Sequence, residues 1–182
     1  MSNDRFYITK SGLEKLQKIK NVYTESKPFL AQKVNKAKSH GDLRENSEYT
    51  IALEAQQLAN NQEKVYSDLI QNTIVIENFD NVDKNKVVFG AHVFFKNLST
   101  GNEENYILVS DFESDIDHQL ISIKSPLGKE LLGKRLNDTF EFNDEEFSIL
   151  QIVYNIEKIN EIIEELAKTD LEILNKSLKD SN

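Results

Sequence analysis

Two carboxylates sit three residues apart in "SHGDLRENSEY", residues 39–49: Asp42 and Glu45, with Gly41 just before them. Acids at this spacing suit two kinds of chemistry. The first is local. An aspartate is a strong helix N-cap, and a glutamate three positions on completes a capping-box pattern. Negative charge also suits a helix N-terminus, and Gly41 supplies the turn. The second is metal binding. Two carboxylates can hold Mg²⁺, but not alone, because this ion normally keeps waters and takes its remaining ligands from a substrate's phosphates. Such a pair is half a site, useful when delivered to where other ligands wait. Residue physics alone leaves both readings open.

The flanking segments are long enough to deliver it. Thr9 is a plausible N-cap for a helix over residues 10–39, with Leu13, Leu16, Tyr23, Leu30, Val34 and Ala37 in a heptad-like stripe. Pro28 interrupts the run and predicts a kink or a restarted helix. A second helix is expected over 47–77, with Ile51, Ala55, Leu58, Val65 and Leu69 as its seam and Gln62 inside it. Two long helices joined by a short turn make an antiparallel hairpin, and about 28 residues at 1.5 Å each make an arm of roughly 40 Å. The first helix carries eight lysines against Glu14 and Glu25; the second carries Glu48, Glu54, Glu63, Asp68 and Glu77 against Lys64. That contrast serves interhelical pairing and solubility, or a basic stripe facing a phosphate backbone or an acidic partner.

Beyond "NFDNVDKNK" the period changes. "VVFGAHVFFKNL", "YILVS", "LISIK", "DTFEF" and "FSILQIVY" read as strands. "SPLGKELLGK" reads as a short helix capped by Ser125, with Pro126 in its first turn and Gly133 stopping it. The fold class is therefore α+β. The expected divisions are an N-terminal hairpin at 1–79, an α+β domain with a mainly antiparallel sheet at 80–155, and a helical tail at 156–182. In the tail, Ile156, Ile159, Ile163, Leu166, Ile173 and Leu174 form an apolar side, expected to pack on the neighbouring domain.

Composition narrows the function. The chain of 182 residues has no cysteine, and its three histidines lack metal-ligand spacing. No signal-like or bilayer-length apolar run is present, so a cytoplasmic protein without membrane attachment is expected. The net charge of −9 argues against broad DNA binding, which needs a basic surface, and no autonomous sequence-specific DNA binding is expected. That charge is uneven: residues 1–79 carry 11 Lys/Arg and 10 Asp/Glu, whereas 80–182 carry 11 and 21. The asymmetry suggests parts with different partners.

The stretch "GDLRENSEY" at the turn of a helical hairpin resembles the signature of the bacterial Gre transcript cleavage factors, the GreA type in particular. "FYITKSGLEKLQ" is similar to the family's opening, and "VVFGAHVFFKNL", "LISIKSPLGKELLGKRLNDTFEF" and "ILQIVY" to its C-terminal domain. The resemblance covers roughly residues 5–155 and leaves out the tail. It implies an FKBP-like C-terminal domain that docks on RNA polymerase without prolyl isomerase activity. It implies a coiled-coil hairpin that enters the polymerase's secondary channel when the nascent RNA 3′ end has been extruded. Asp42 and Glu45 match the acidic pair that shares a Mg²⁺ with the polymerase active site, which then cuts its own transcript. Gly41, Leu43, Asn46, Glu48 and Tyr49 match the surrounding signature, and Lys38 falls where the family has a basic residue that contacts RNA or polymerase. On this resemblance the protein has no cofactor of its own and is not itself an enzyme. Two other classes remain as alternatives: a Gre-like regulator that binds the same channel and inhibits, and a coiled-coil holdase or scaffold.

Overall fold

The computed structural model of the protein describes residues 5–39 and 47–180. The element order is β1 (Phe6–Thr9), α1 (Lys10–Lys38), α2 (Ser47–Gln71), β2 (Thr73–Ile76), β3 (Ala91–Asn97), β4 (Glu103–Val109), β5 (Leu120–Ser122), α3 (Pro126–Leu131), β6 (Thr139–Phe142), β7 (Glu145–Tyr154) and α4 (Ile156–Asp180). This is the expected α+β class. The chain forms two compact units, each discontinuous in sequence: Met1–Gly12 with Thr73–Glu164, and Leu13–Asn72 with Glu165–Asn182. The sequence boundaries at 79/80 and 155/156 therefore both fall inside the first unit.

The first unit is built on a five-stranded sheet in the order β5-β4-β3-β7-β6. Neighbours are antiparallel except β4 and β5, which are parallel. In β3 the period-two pattern is plain: Ala91, Val93, Phe95 and Asn97 are buried, while His92, Phe94 and Lys96 are half-buried. The core joins Val93, Phe95, Leu108, Leu131, Phe140, Phe147 and Ile149. Phe95 meets Phe140 and Phe147 edge-on at 5.4 and 5.6 Å, arrangements that add about 0.5–1.5 kcal/mol per pair beyond area burial. α3 follows its sequence signals: Ser125 Oγ accepts from Gly128 N–H, Pro126 stands in the first turn, and Gly133 follows at φ +87°.

The same unit holds a two-stranded parallel sheet that the sequence pattern does not predict. β1 pairs with β2 in register Phe6 with Thr73 through Thr9 with Ile76. The second helix consequently ends at Gln71, not at 77. Asn72 closes it, donating its backbone N–H to Leu69 C=O at 3.0 Å and its side-chain amide to Asp68 C=O at 2.8 Å. "TIVI" then goes to strand, because its β-branched side chains and a partner strand far away in sequence outweigh the helical run before it.

The second unit contains the hairpin. α1 is one continuous helix of 29 residues with Pro28 inside it, so the proline does not restart it. A proline in mid-helix removes the single bond its N–H would have donated to Thr24 C=O; the buried side chains around it, Leu30 and Val34, keep the turns together. Leu16, Leu30, Val34 and Ala37 are buried as the stripe predicts. The seam of α2 differs from the sequence expectation. Ala52 and Ala59 are its buried residues, whereas Ile51, Leu58 and Val65 are 59, 54 and 50% exposed. Small residues let two helix backbones approach closely, and they win the interface over the larger apolar residues one position earlier.

The tail is also more than a helix packed on one domain. α4 begins in the first unit, where Ile156, Ile159 and Ile163 are buried. It ends in the second, where Ala167 is buried and Asp170 Oδ2 lies 2.6 Å from Lys15 Nζ of α1. Ile173, expected on the apolar side, is 63% exposed.

Candidate functional site at the hairpin tip

Three cross-helix contacts establish that α1 and α2 run antiparallel. Tyr23 stacks on Tyr66 with ring centroids 6.0 Å apart. Lys27 Nζ meets Glu63 Oε2 at 3.0 Å. Nearest the tip, Lys38 Nζ lies 5.8 Å from the centre of the Tyr49 ring. Burial pushes the pKa of both Tyr23 and Tyr66 above the usual phenol value, and Tyr23 and Asp170 push Tyr66 further in the same direction. The phenols therefore stay neutral and act as packing surface.

Each helix has a defined end at the tip. Ser39 donates both its backbone N–H and its Oγ–H to Lys36 C=O, at 3.1 and 2.6 Å, which closes the last turn of α1. Lys36 and Lys38 in that turn complement the negative end of the helix dipole. Glu48 sits in the first turn of α2, where its charge suits the positive end. Lys38 and Glu48 are exposed and Tyr49 is half-buried. The contact of Lys38 with Tyr49 is a cation–π pair that sequence spacing could not reveal, since the two residues meet only when the chain reverses. Asp42 and Glu45, with Gly41, Leu43 and Asn46, lie outside the described residues, so both the capping and the metal readings of the acids fall there.

Of the eight lysines of α1, Lys15 and Lys27 are paired with Asp170 and Glu63. Lys33 Nζ lies 5.0 Å over the Phe29 ring. Lys18, Lys36 and Lys38 are exposed. Part of the basic stripe is thus committed to structure, and part faces outward.

The first unit has a separate cleft of about 610 Å³, walled by Tyr7, Phe79, Val82, Phe89, Ile123 and Leu132. Lys86 is the charged residue among its described walls. A lining without acid or histidine suits apolar surface, not acid–base chemistry. Among the described residues, no helix is long and apolar enough to cross a membrane.

Comparison with known proteins agrees with this architecture piece by piece. Residues 6–75 match the family description "Transcription elongation factor, N-terminal", and residues 82–158 match "Transcription elongation factor, GreA/GreB, C-term". The transcription elongation factor GreA of Christiangramia forsetii is 37% identical over 136 residues, spanning 74% of this chain and 85% of that protein. GreA of Buchnera aphidicola is 33% identical over 158 residues, spanning 84 and 99%. GreA of Staphylococcus epidermidis is 39% identical over 140 residues, spanning 76 and 87%. Among solved structures, GreA factor homolog 1 of Thermus thermophilus aligns over 82% of this chain and 99% of its own, at 20% identity and a TM-score of 0.39, too low to support inference. The two family matches together cover the hairpin and the sheet, stop inside the first turn of α4, and include the tip signature. The chain belongs to the GreA/GreB family of transcription elongation factors.

Proposed function

We propose that this protein acts on a bacterial RNA polymerase that has backtracked, placing the hairpin tip at the polymerase's active site and stimulating hydrolysis of the extruded RNA 3′ end. The observation that carries this reading is the position of the acid pair. Asp42 and Glu45 fall in the connection 39–46 between an antiparallel helix of 29 residues and one of 25. A long arm ending in two acids suits delivery of ligands to a recessed site.

The donor set fits a shared Mg²⁺ and not a resident one. Carboxylate oxygens are the ligands this ion prefers, but two of them leave most of an octahedral shell to other groups. An ion bound there supplies charge stabilisation at the phosphodiester and activation of water. The chain's own residues do the rest: Asp42 and Glu45 offer carboxylate oxygens, and the Lys38–Tyr49 contact ties the last turn of α1 to the first turn of α2. Exposed lysines on α1 favour approach to the phosphate backbone. The polymerase keeps the chemistry, and the protein supplies ligands and geometry, so it is no enzyme by itself.

The test is transcript cleavage by a backtracked elongation complex in Mg²⁺. Addition of the protein should accelerate cleavage, and Asp42→Ala/Glu45→Ala should abolish the acceleration while polymerase binding persists. Binding without any acceleration by the natural protein would instead establish an inhibitor of the same channel.

A further inference from the structure

The cleft of about 610 Å³ lies wholly within the first unit and takes no part in the function proposed above. A volume of that size is in the range of small-molecule sites. Its aromatic walls are set by the fold itself. Phe79 is 7% exposed, with its ring 5.1 Å from that of Tyr154. Gly90 stands at φ +83°, and a Cβ there would overlap the Phe79 ring, so only a glycine lets the ring lie against the backbone. Phe89 is 6% exposed and meets the Tyr7 ring at 6.0 Å.

The main chain along one wall is fully engaged. Lys86 N–H donates to Asp83 C=O at 3.0 Å and Val87 N–H to Lys134 C=O at 2.8 Å. Gly133 N–H donates to Val87 C=O at 2.8 Å and Ala91 N–H to Val88 C=O at 3.1 Å. Tyr154 completes the set: its hydroxyl donates to Lys86 C=O at 2.5 Å and accepts Val88 N–H at 3.1 Å. Every N–H and C=O of residues 86–88 thus has a partner, and an extended peptide finds no main chain to pair with there. The Lys86 side chain is different. It is half-buried, and among the described residues its ammonium has no hydrogen bond or ion pair. Asp83, the acid nearest to it in sequence, is held by Arg135 at 3.1 Å. The lysine stem passes Gly133, where a Cβ would lie 3.8 Å from Lys86 Cε.

We propose that this cleft binds a small amphipathic carboxylate, its apolar body against Phe79, Phe89 and Ile123 and its head on Lys86 Nζ. Three observations choose the class of ligand. The walls hold aromatic and aliphatic side chains without acid or histidine, which suits a hydrocarbon body. Lys86 is the charged residue among the described walls, so a monoanion matches the site in charge. The satisfied main chain at 86–88 favours a ligand that brings apolar surface and one anionic group over one that brings a peptide backbone. A partly desolvated ammonium gains a charge-assisted hydrogen bond when such a head arrives, and the aromatic walls gain burial from the chain behind it. A medium-chain fatty acid is the simplest molecule of this description.

The test uses the full chain at neutral pH, with octanoate as probe and octanol as its uncharged counterpart, followed by NMR of methyl and aromatic signals. Octanoate should shift Val82, Ile123, Leu132 and Phe79 saturably. Lys86→Met keeps the stem and removes the charge, and should raise the octanoate Kd about tenfold, a charge-assisted bond discounted for partial exposure. Lys86→Arg should restore binding, and octanol should bind wild type and Lys86→Met alike. Leu132 is 44% exposed, so Leu132→Trp should fold, fill the mouth of the cleft and weaken both ligands. Unchanged signals from β3 and β7 establish that each variant is folded. An octanoate Kd equal in wild type and Lys86→Met overturns the proposal, as does octanol binding wild type as tightly as octanoate. Shifts that do not saturate, or that fall on the exposed Ile51 and Leu58 instead, also overturn it and leave the cleft to a macromolecular partner. No polymerase enters the measurement, so its outcome is independent of the cleavage reading.

Discussion

The tail helix allows a sharp energetic test, because one helix offers a buried and an exposed isoleucine. Ile163 is 0% exposed and Ile173 is 63% exposed. Ile163→Ala removes three carbons, worth about 2.4 kcal/mol at about 0.8 kcal/mol each, and a residual cavity brings such changes to about 2–5 kcal/mol. Alanine's better helix propensity returns only a few tenths of a kcal/mol, so the expected loss is about 3 kcal/mol. For a unit of about 100 residues each kcal/mol shifts the midpoint by about 4–8 °C, so the first unit should melt at least about 12 °C lower. Ile173→Ala should move stability by no more than about 0.5 kcal/mol. Calorimetry resolves the units if they melt separately, and hydrogen exchange in β3 and β7 reports on the first unit directly. Equal effects of the two substitutions, or protection in β3 and β7 unchanged by Ile163→Ala, would refute the packing of α4 on this unit.

Two further outcomes follow from particular side chains. Burial lowers the His92 pKa below its usual value, with the Asn105 hydrogen bond opposing and Lys158 reinforcing the shift. Between that lowered value and about 6.5 the unfolded chain binds more protons, so stability is full above the unfolded pKa and is lost as pH falls through the folded one; His92→Gln should flatten that part of the pH–stability curve measured by denaturant titration. Pro28 is exposed inside a continuous helix. Pro28→Ala restores one backbone bond and should stabilise the hairpin unit by roughly 1–3 kcal/mol, read as a higher midpoint in denaturant followed by far-UV circular dichroism. A lower midpoint would mean that the helix is built around the proline.

What sequence reading captured and what it missed differ by the range of the interaction. The cap at Ser125 and the Thr9 cap of α1 depend on bonds within four residues, and each forms as expected. The alternation along β3 and the stripe of Leu16, Leu30, Val34 and Ala37 are periodic, so one-dimensional pattern is enough to find them. The α2 seam departs from the periodic pattern because hydrophobicity favours Ile51, Leu58 and Val65, while the helix buries the smaller Ala52 and Ala59. Residues 73–76 form a strand where the pattern predicts helix, because their partner is Phe6–Thr9 and no local signal announces a partner at that separation.

By itself the sequence determined the α+β class, the hairpin and the tip signature with Asp42 and Glu45 inside it, since each is written in periodicity, turn chemistry or a contiguous motif. Tertiary structure alone decided that α4 serves both units, that Lys38 meets Tyr49, and that Glu113 is no ordinary surface acid. In "LVSDFESDID" the chain offers Asp111, Glu113, Asp115 and Asp117 at alternate positions with nothing to rank them. Folding buries Glu113 and brings it Thr9 from 104 residues away. Burial and long-range hydrogen bonding are properties of the packed chain, and no local pattern of residues encodes them.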